Sequence, residues 1–345
     1  MSDFIQLHIL TSYAPSNLNR DDLGRPKTAR MGGVERLRIS SQSLKRHWRT
    51  SDLFQNAMSG HLGTRTKFFG RDIYSALLES GVSEAKALKW AAMIAKQFGA
   101  LKKDSVDIEQ LVHISPVEKQ LAMDLVQVLA QENREPEEEE LKKLKSQETA
   151  VDIALFGRML ASSPEFNVEA ACQVAHAISV HQVSVEDDFF TAIDDLNEQY
   201  SNDRGSSHIG ETGFAAALFY SYVCINKTQL IENLGGNVDL ANAAIAALTE
   251  VALKISPSGK QNSFASRAYA SYALAEKGAQ QPRSLSVAFL KPIASNDMAD
   301  AAIKSMKKQV ENYDRVYGDC ADDRCELNAM TGEGTLAELL NFVQK

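Results

Sequence analysis

The chain has 345 residues, is 44% hydrophobic and carries 37 Lys and Arg against 45 Asp and Glu, a net charge of -8. That apolar share supports one large core or two smaller ones, which sets disorder aside, and the acidic balance confines any basic site to part of the surface. No stretch approaches the roughly 18 apolar residues of a membrane helix, and Cys172, Cys224, Cys320 and Cys325 are too scattered for a secreted disulfide framework.

The first element is an alternating run, Phe4-Ile5-Gln6-Leu7-His8-Ile9-Leu10, which reads as a strand. It starts without the charged segment and cleavage site of a signal peptide, so the expected location is the cytoplasm.

Between Arg36 and Arg49 the sequence is most informative. Arg36, Leu37, Arg38 and Ile39 alternate as a short strand, and Ser40 or Ser41 can cap a following helix by satisfying its free N–H groups. On a helix over 41–58, Gln42, Lys45 and Arg49 fall on one face, while Leu44 and Trp48 form an apolar face at i, i+4 spacing. Residues 20–71 hold twelve Lys and Arg against four Asp and Glu, with Gly32, Gly33 and several serines among them. Hydroxyls, backbone N–H groups and cations together suit a phosphate backbone. A solvated basic surface without a ligand has much the same charge.

From about 70 to 180 the pattern is helical, with segments near 70–80, 83–99, 116–132, 137–160 and 168–179, and reads as an insertion. Its acidic run, Glu135 to Glu140, followed by Lys142, Lys143 and Lys145, is most simply a helix N-terminus with lysines pairing back to carboxylates. Beyond it come a β-branched stretch at 181–185, a polar connection at 201–207 and a strong strand at 214–225. A helix at 238–254, a strand at 284–289 and helices near 297–317 and 334–344 follow. The expected architecture is a discontinuous α+β core carrying a helical insertion.

Catalytic patterns are sparse. Cys172 and His176 would lie four apart on one helix, and Cys320 precedes Cys325, but neither pair meets a second pair at ligand spacing. There is no phosphate loop and no nucleophile elbow, and His176 and His181 sit in apolar surroundings. Asp21 and Asp22 beside Arg20 are the one carboxylate pair near the basic segment; they can hold a divalent metal for phosphodiester cleavage or, more simply, orient the arginine. No cofactor or metal is expected.

Four segments in order carry a resemblance: Leu18-Asn19-Arg20-Asp21-Asp22; Gly32-Gly33 leading into Arg38 to Arg46; Val151-Asp152-Ile153-Ala154-Leu155-Phe156-Gly157-Arg158-Met159; and Ala175 to Val183 with Asp194-Asp195 beyond. Together they resemble the CasC family, the repeated backbone subunit of the type I-E CRISPR Cascade complex. The likeness spans residues 3 to about 240 and fades afterwards. It implies an RRM-like (ferredoxin-like) palm from 1–58 and 182–345, helical fingers over 59–181 and a β-hairpin thumb over 187–214. It also implies a non-catalytic subunit that stacks with copies of itself along a crRNA guide, kinks it periodically, presents it to a target DNA strand and meets other Cascade subunits, with no membrane involved; sequence recognition then belongs to base pairing.

By position, the resemblance implies guide contacts from Asn19, Arg20, Ser40, Gln42, Lys45, Arg46 and Arg49, with a second palm contact from Lys260 and Gln261. Met159 resembles an apolar wedge beside a displaced base, against the ordinary reading of a core methionine. Phe189, Phe190, Ile193, His208 and Ile209 match thumb positions around the kinked nucleotide; adjacent aromatics on a strand face opposite sides, which leaves one open to a base. Lys142, Lys143 and Lys145 approximate the family's DNA-scanning lysines. The alternative on the same scaffold is a metal-dependent ribonuclease like the backbone subunits of type III complexes.

Overall fold

In the computed structural model, which describes residues 3–145, 150–160, 166–192 and 208–345, the alternation that begins at Phe4 runs on as β1 (Phe4–Ser16). Both edges of β1 are paired antiparallel. β9 (His208–Asn226) lies on one side, with Ile5 opposite Ile225, and β10 (Tyr272–Gly278) on the other, with Ile5 opposite Lys277. Because β1 is central, both faces are buried: Ile5, Leu7 and Ile9 point to one core, and Gln6, His8 and Leu10 to the other.

β2 (Thr28–Met31), β3 (Val34–Ile39), β6 (Cys172–Val174), β7 (Ala177–Ser179), β8 (Glu186–Ala192) and β11 (Asp323–Asn328) complete this sheet. Its main path runs β11-β10-β1-β9-β7-β3-β2, with β6 and β8 also paired to the long β9. The protein is therefore a mixed α/β fold on an antiparallel sheet. One face carries α1 (Ser41–Arg49), α2 (Asp52–Ala57), α7 (Val151–Phe156), α8 (Lys227–Asn233), α9 (Val238–Lys254) and α12 (Leu336–Gln344), whose apolar residues share a core with Ile5, Leu7 and Ile9. Across the sheet, α11 (Met298–Tyr317) sets Ile303 and Met306 against Leu10, Leu218 and Leu274.

The insertion has a core of its own. Phe69, Ile73 and Leu77 of α3 (Phe69–Glu79), Trp90 and Ile94 of α4 (Glu84–Ala95) and Leu125 and Leu129 of α5 (Pro116–Glu132) pack together. A two-stranded ribbon of β4 (Thr64–Thr66) and β5 (Val112–Ile114) lies beside them, with Arg65 opposite His113. No helix among the described residues is long and apolar enough to cross a membrane.

Several local expectations are corrected. The helix expected over 41–58 is two helices, because Ser51 takes an extended backbone and its hydroxyl caps α2 by accepting from the Phe54 N–H. The continuous helix expected over 137–160 is instead α6 (Glu138–Lys142) and α7, with an extended residue at Ala150. The segment 168–179 is not a helix: Cys172 pairs opposite Ile225 and Ile178 opposite Tyr220, so ladder partners on β9 override a helix-compatible composition. Cys172 and His176 consequently do not share a helix face. The strand expected at 284–289 is a 3-10 turn, Ser286–Phe289, which buries Leu285 and Phe289 against α11. β10 carries no alternating pattern in the sequence because it is buried on both faces.

Candidate nucleic-acid interface

Ser40 sits at the junction between β3 and α1. Its hydroxyl accepts the Ser43 N–H at 3.3 Å, and its own N–H donates to Asn19 Oδ1 at 2.9 Å. Ser40 is thus buried and caps the helix, while Leu44 and Trp48 pin α1 to the core. The rest of the surface of α1 is left to polar groups, and its first turn carries no acidic residue.

Gln42, Lys45, Arg46 and Arg49 line one cleft of about 400 Å³, whose other walls come from Arg65 on β4, His113 on β5, Phe156 at the end of α7, and Arg158 and Met159 just beyond it. The structure therefore brings Met159 to the cationic face of α1 from more than a hundred residues away. Lys45 Nζ lies 5.9 Å from the Phe156 ring centroid.

The Gly157-Arg158-Met159 triplet divides its labour. Gly157 has φ +80° and lies so close to Val168 and Ala170 that a Cβ would be crowded. Arg158 turns inward to donate to Glu118 at 2.6 Å, both side chains being buried. Met159 is left 85% exposed at the cleft rim, which overturns the ordinary reading of a core methionine.

Asp152 forms part of the cleft lining although its side chain is buried. Its Oδ2 accepts from His113 Nε2 at 2.8 Å and Arg49 Nη1 at 3.3 Å, and its Oδ1 accepts the Gly63 N–H at 2.8 Å. Burial pushes this carboxyl up, but the His113 hydrogen bond and charge, the Gly63 N–H and the Arg49 charge outweigh it and hold the group below the usual carboxylate range. Sequence reasoning missed Arg65, His113 and Asp152 as site residues. Asp152 lies within the 151–159 segment, but nothing local in the sequence points to its partners.

A second cleft, of about 420 Å³, flanks the adjacent face of α1 and is lined by Asn19, Arg20, Asp21, Ser43, His47, Ser258 and Gly259. His47 Nε2 and Ser258 Oγ are 2.8 Å apart. A Cβ at Gly259 would stand 2.3 Å from the Leu18 carbonyl oxygen, so glycine lets this loop close on the backbone of Asn17 and Leu18, just before Asn19 and Arg20. Lys260 follows at φ +51°, half-buried, whereas the amide of Gln261, the first residue of α10 (Gln261–Phe264), turns inward and donates to the Pro257 carbonyl at 2.9 Å. Asp21 Oδ1 accepts the N–H groups of Leu23 and Arg25, which fixes the loop around Arg20.

β8 and β9 form a hairpin arm on which every β8 residue is exposed. Phe189 is 66% and Ile209 61% exposed, and the register puts both on one face, with Phe190 on the other opposite Gly210. Arg25 ties the arm's base to the 18–27 loop through Asp187 at 2.9 Å. His208 opens β9, paired with Ala192; Ile193 lies outside the described residues.

The lysines of the insertion stand apart from both clefts. Lys142 pairs with Glu138 at 2.8 Å at i, i+4 spacing, Lys143 is exposed, and Lys145 Nζ lies 5.3 Å from the Phe166 ring centroid. The apolar surroundings expected for His176 are not found: its side chain is exposed beside Arg38. His176 Nδ1 is 2.8 Å from Arg38 Nη1, and His181 Nε2 accepts the Leu218 N–H. Burial pushes the Cys224 thiol up to about 11 and raises Cys172 further. Among the described residues no cluster of His, Cys, Asp and Glu is arranged to hold a metal ion.

The fold is similar to that of two solved chains. One, from a CRISPR RNA-guided surveillance complex described as pre-nicking, is 28% identical with a TM-score of 0.83, over 99% of each chain. The other, from a CRISPR RNA-guided surveillance complex, is 23% identical with a TM-score of 0.74, again over 99% of each, and supports the likeness of fold. No curated protein matches the sequence. A family model described as CT1975-like protein matches residues 5–340, and the chain belongs to that family.

Proposed function

We propose that this chain is the crRNA-binding backbone subunit of a type I-E CRISPR Cascade antiviral surveillance complex, a member of the CasC group. The observation that carries this reading is the first cleft, where Gln42, Lys45, Arg46 and Arg49 on a capped helix face Met159 from across the insertion. A small phosphate compound would engage a few of these cations. Arg20 in the second cleft and an exposed aromatic arm extend the interface well past one small ligand, as a polynucleotide backbone requires. The likeness to chains of CRISPR RNA-guided surveillance complexes supports the same conclusion.

In this reading the large sheet and its helices are the RRM-like palm, the separately cored insertion is the fingers, and the β8–β9 arm is the thumb. β6 and β7 go with the palm, since they pair in its sheet. Copies stack along the guide, Met159 and the arm hold displaced nucleotides, and the remaining bases pair with a target DNA strand. The subunit binds other Cascade subunits and performs no chemistry. Coexpression with a CRISPR array and its processing subunit is expected to yield a high-mass assembly holding RNA of uniform length. Recovery of a monomer free of nucleic acid would overturn the reading.

A further inference from the structure

One carboxylate touches both walls of the first cleft. Asp152 accepts from Arg49 on α1, from His113 on β5 and from the backbone N–H of Gly63, three donors from separate stretches of chain. Since an ionised carboxylate only accepts, His113 Nε2 carries the proton in this contact. A Cβ at Gly63 would stand 2.9 Å from the His113 ring, so the imidazole lies directly against the backbone that Asp152 also grips. Arg49 makes a single hydrogen bond to this carboxylate, through Nη1, and lines the cleft. A guanidinium has five N–H donors, which leaves others for a ligand in the cleft.

We propose that Asp152 is a positioning residue for RNA binding: it holds Arg49 against the wall bearing His113, so that the free donors of Arg49 meet a backbone phosphate. The inference rests on the RNA-binding reading above. It makes a prediction of definite sign, because a carboxylate beside a phosphate site also subtracts positive charge. Acting as charge alone, Asp152 would weaken RNA binding, and neutralising it would tighten the complex. Acting through Arg49, its neutralisation loosens the complex, because in Asp152→Asn the oxygen left to face Arg49 carries no charge and the amide N–H₂ meets another donor in either orientation, Arg49 and His113 in one and the Gly63 N–H in the other.

The test is a fluorescence titration of a labelled single-stranded RNA with the full-length chain, comparing wild type, Asp152→Asn, Arg49→Ala, the double variant and Arg49→Lys, with a thermal melt of each. Asp152→Asn and Arg49→Ala are each expected to weaken binding about tenfold, the scale of one lost charge-assisted contact. The double variant is expected to be no weaker than Arg49→Ala, since both changes remove the same contact. Arg49→Lys keeps the charge but not the fork, and is expected to bind more weakly than wild type. Tighter or unchanged binding by Asp152→Asn, or additive losses, overturns the proposal while RNA binding stands. Should Asp152→Asn fail to fold, Arg49→Lys decides alone: binding equal to wild type overturns the positioning role. A wild-type chain that binds no RNA overturns the function itself, and this inference with it.

Discussion

The ring of Phe190 covers Gly210 across the β8–β9 pair, so closely that a Cβ on Gly210 would stand 2.3 Å from Cζ. Glycine at this point of the strand leaves room for the ring to lie on the backbone. Phe190 is 42% exposed in this position, whereas Phe189, on the other face, is 66% exposed. The two aromatics therefore differ in kind. Phe190 braces the arm and Phe189 is its open platform.

Phe189→Ala is expected to remove about 1–3 kcal/mol of stacking from target-strand affinity while leaving guide retention unchanged. Gly210→Ala is expected to lift the Phe190 ring and weaken target binding without any change of charge. Both are read on the assembled complex with a position-by-position mismatch scan. Wild type should tolerate mismatches at the regularly spaced kinked positions, and a uniform penalty along the guide would argue against the roles given to Met159, Phe189, Phe190 and Ile209.

Lys45 and Arg46 line the cleft without an ion pair to Asp152, so their removal tests charge separately from positioning. Lys45→Ala with Arg46→Ala is expected to weaken RNA binding equally across sequences and to lower the salt slope by roughly 0.7 per lost single-strand phosphate contact. An unchanged slope would mean that this helix face is solvated surface.

Glu118 closes a capping box with Ser115 and receives Arg158 at 2.6 Å. Glu118→Ala leaves a buried guanidinium uncompensated and takes the acceptor from the buried Ser115 N–H, a loss of about 3–5 kcal/mol. Chemical denaturation followed by tryptophan fluorescence is the measurement, since Trp90 sits in the insertion's core. A loss under about 1 kcal/mol would show that water replaces the missing partner.

Acid sensitivity is expected to centre on Glu276. Its side chain is fully buried, with His8 at 3.0 Å, Arg324 at 2.7 Å and Arg283 in contact. Burial pushes Glu276 up, but hydrogen bonds from His8, Arg283 and Arg324 reverse this and carry it far below the usual range. His8 is lowered by its own burial, which outweighs the attraction of Glu276. Both groups bind fewer protons folded than unfolded. Their contribution to stability is therefore present at neutral pH and is lost on acidification, below about 6.5 for His8 and about 4.3 for Glu276. Glu276→Gln is expected to destabilise the protein at pH 7 and to flatten the acid limb of its stability curve, measured by denaturation from pH 3 to 8.

Divalent metal ions are expected to elicit no cleavage of guide, complementary RNA or complementary DNA. Asp21 already orders its own loop through Leu23 and Arg25. Asp21→Ala is expected to lower assembly by disordering the approach to Arg20. Metal-dependent cutting of complementary RNA that vanishes in Asp21→Ala or Asp22→Ala would establish the ribonuclease alternative instead.

What the amino-acid sequence determined by itself was local. Gln42, Lys45 and Arg49 share a face because a helix repeats every 3.6 residues, Ser40 caps because its hydroxyl reaches the Ser43 N–H, and Phe189 and Phe190 diverge because a strand alternates. The helical insertion and the acidic start of α6, with Lys142 reaching back to Glu138, were legible for the same reason. Only the tertiary structure decided that 172–179 joins the sheet, that Arg65 and His113 form the far wall of the cleft, and that Asp152 links His113 to Arg49. Those relationships join residues 39 to 103 positions apart, or depend on ladder partners on β9. Local periodicity reports which way a side chain points from its own element; which group it meets there is set by how the elements pack.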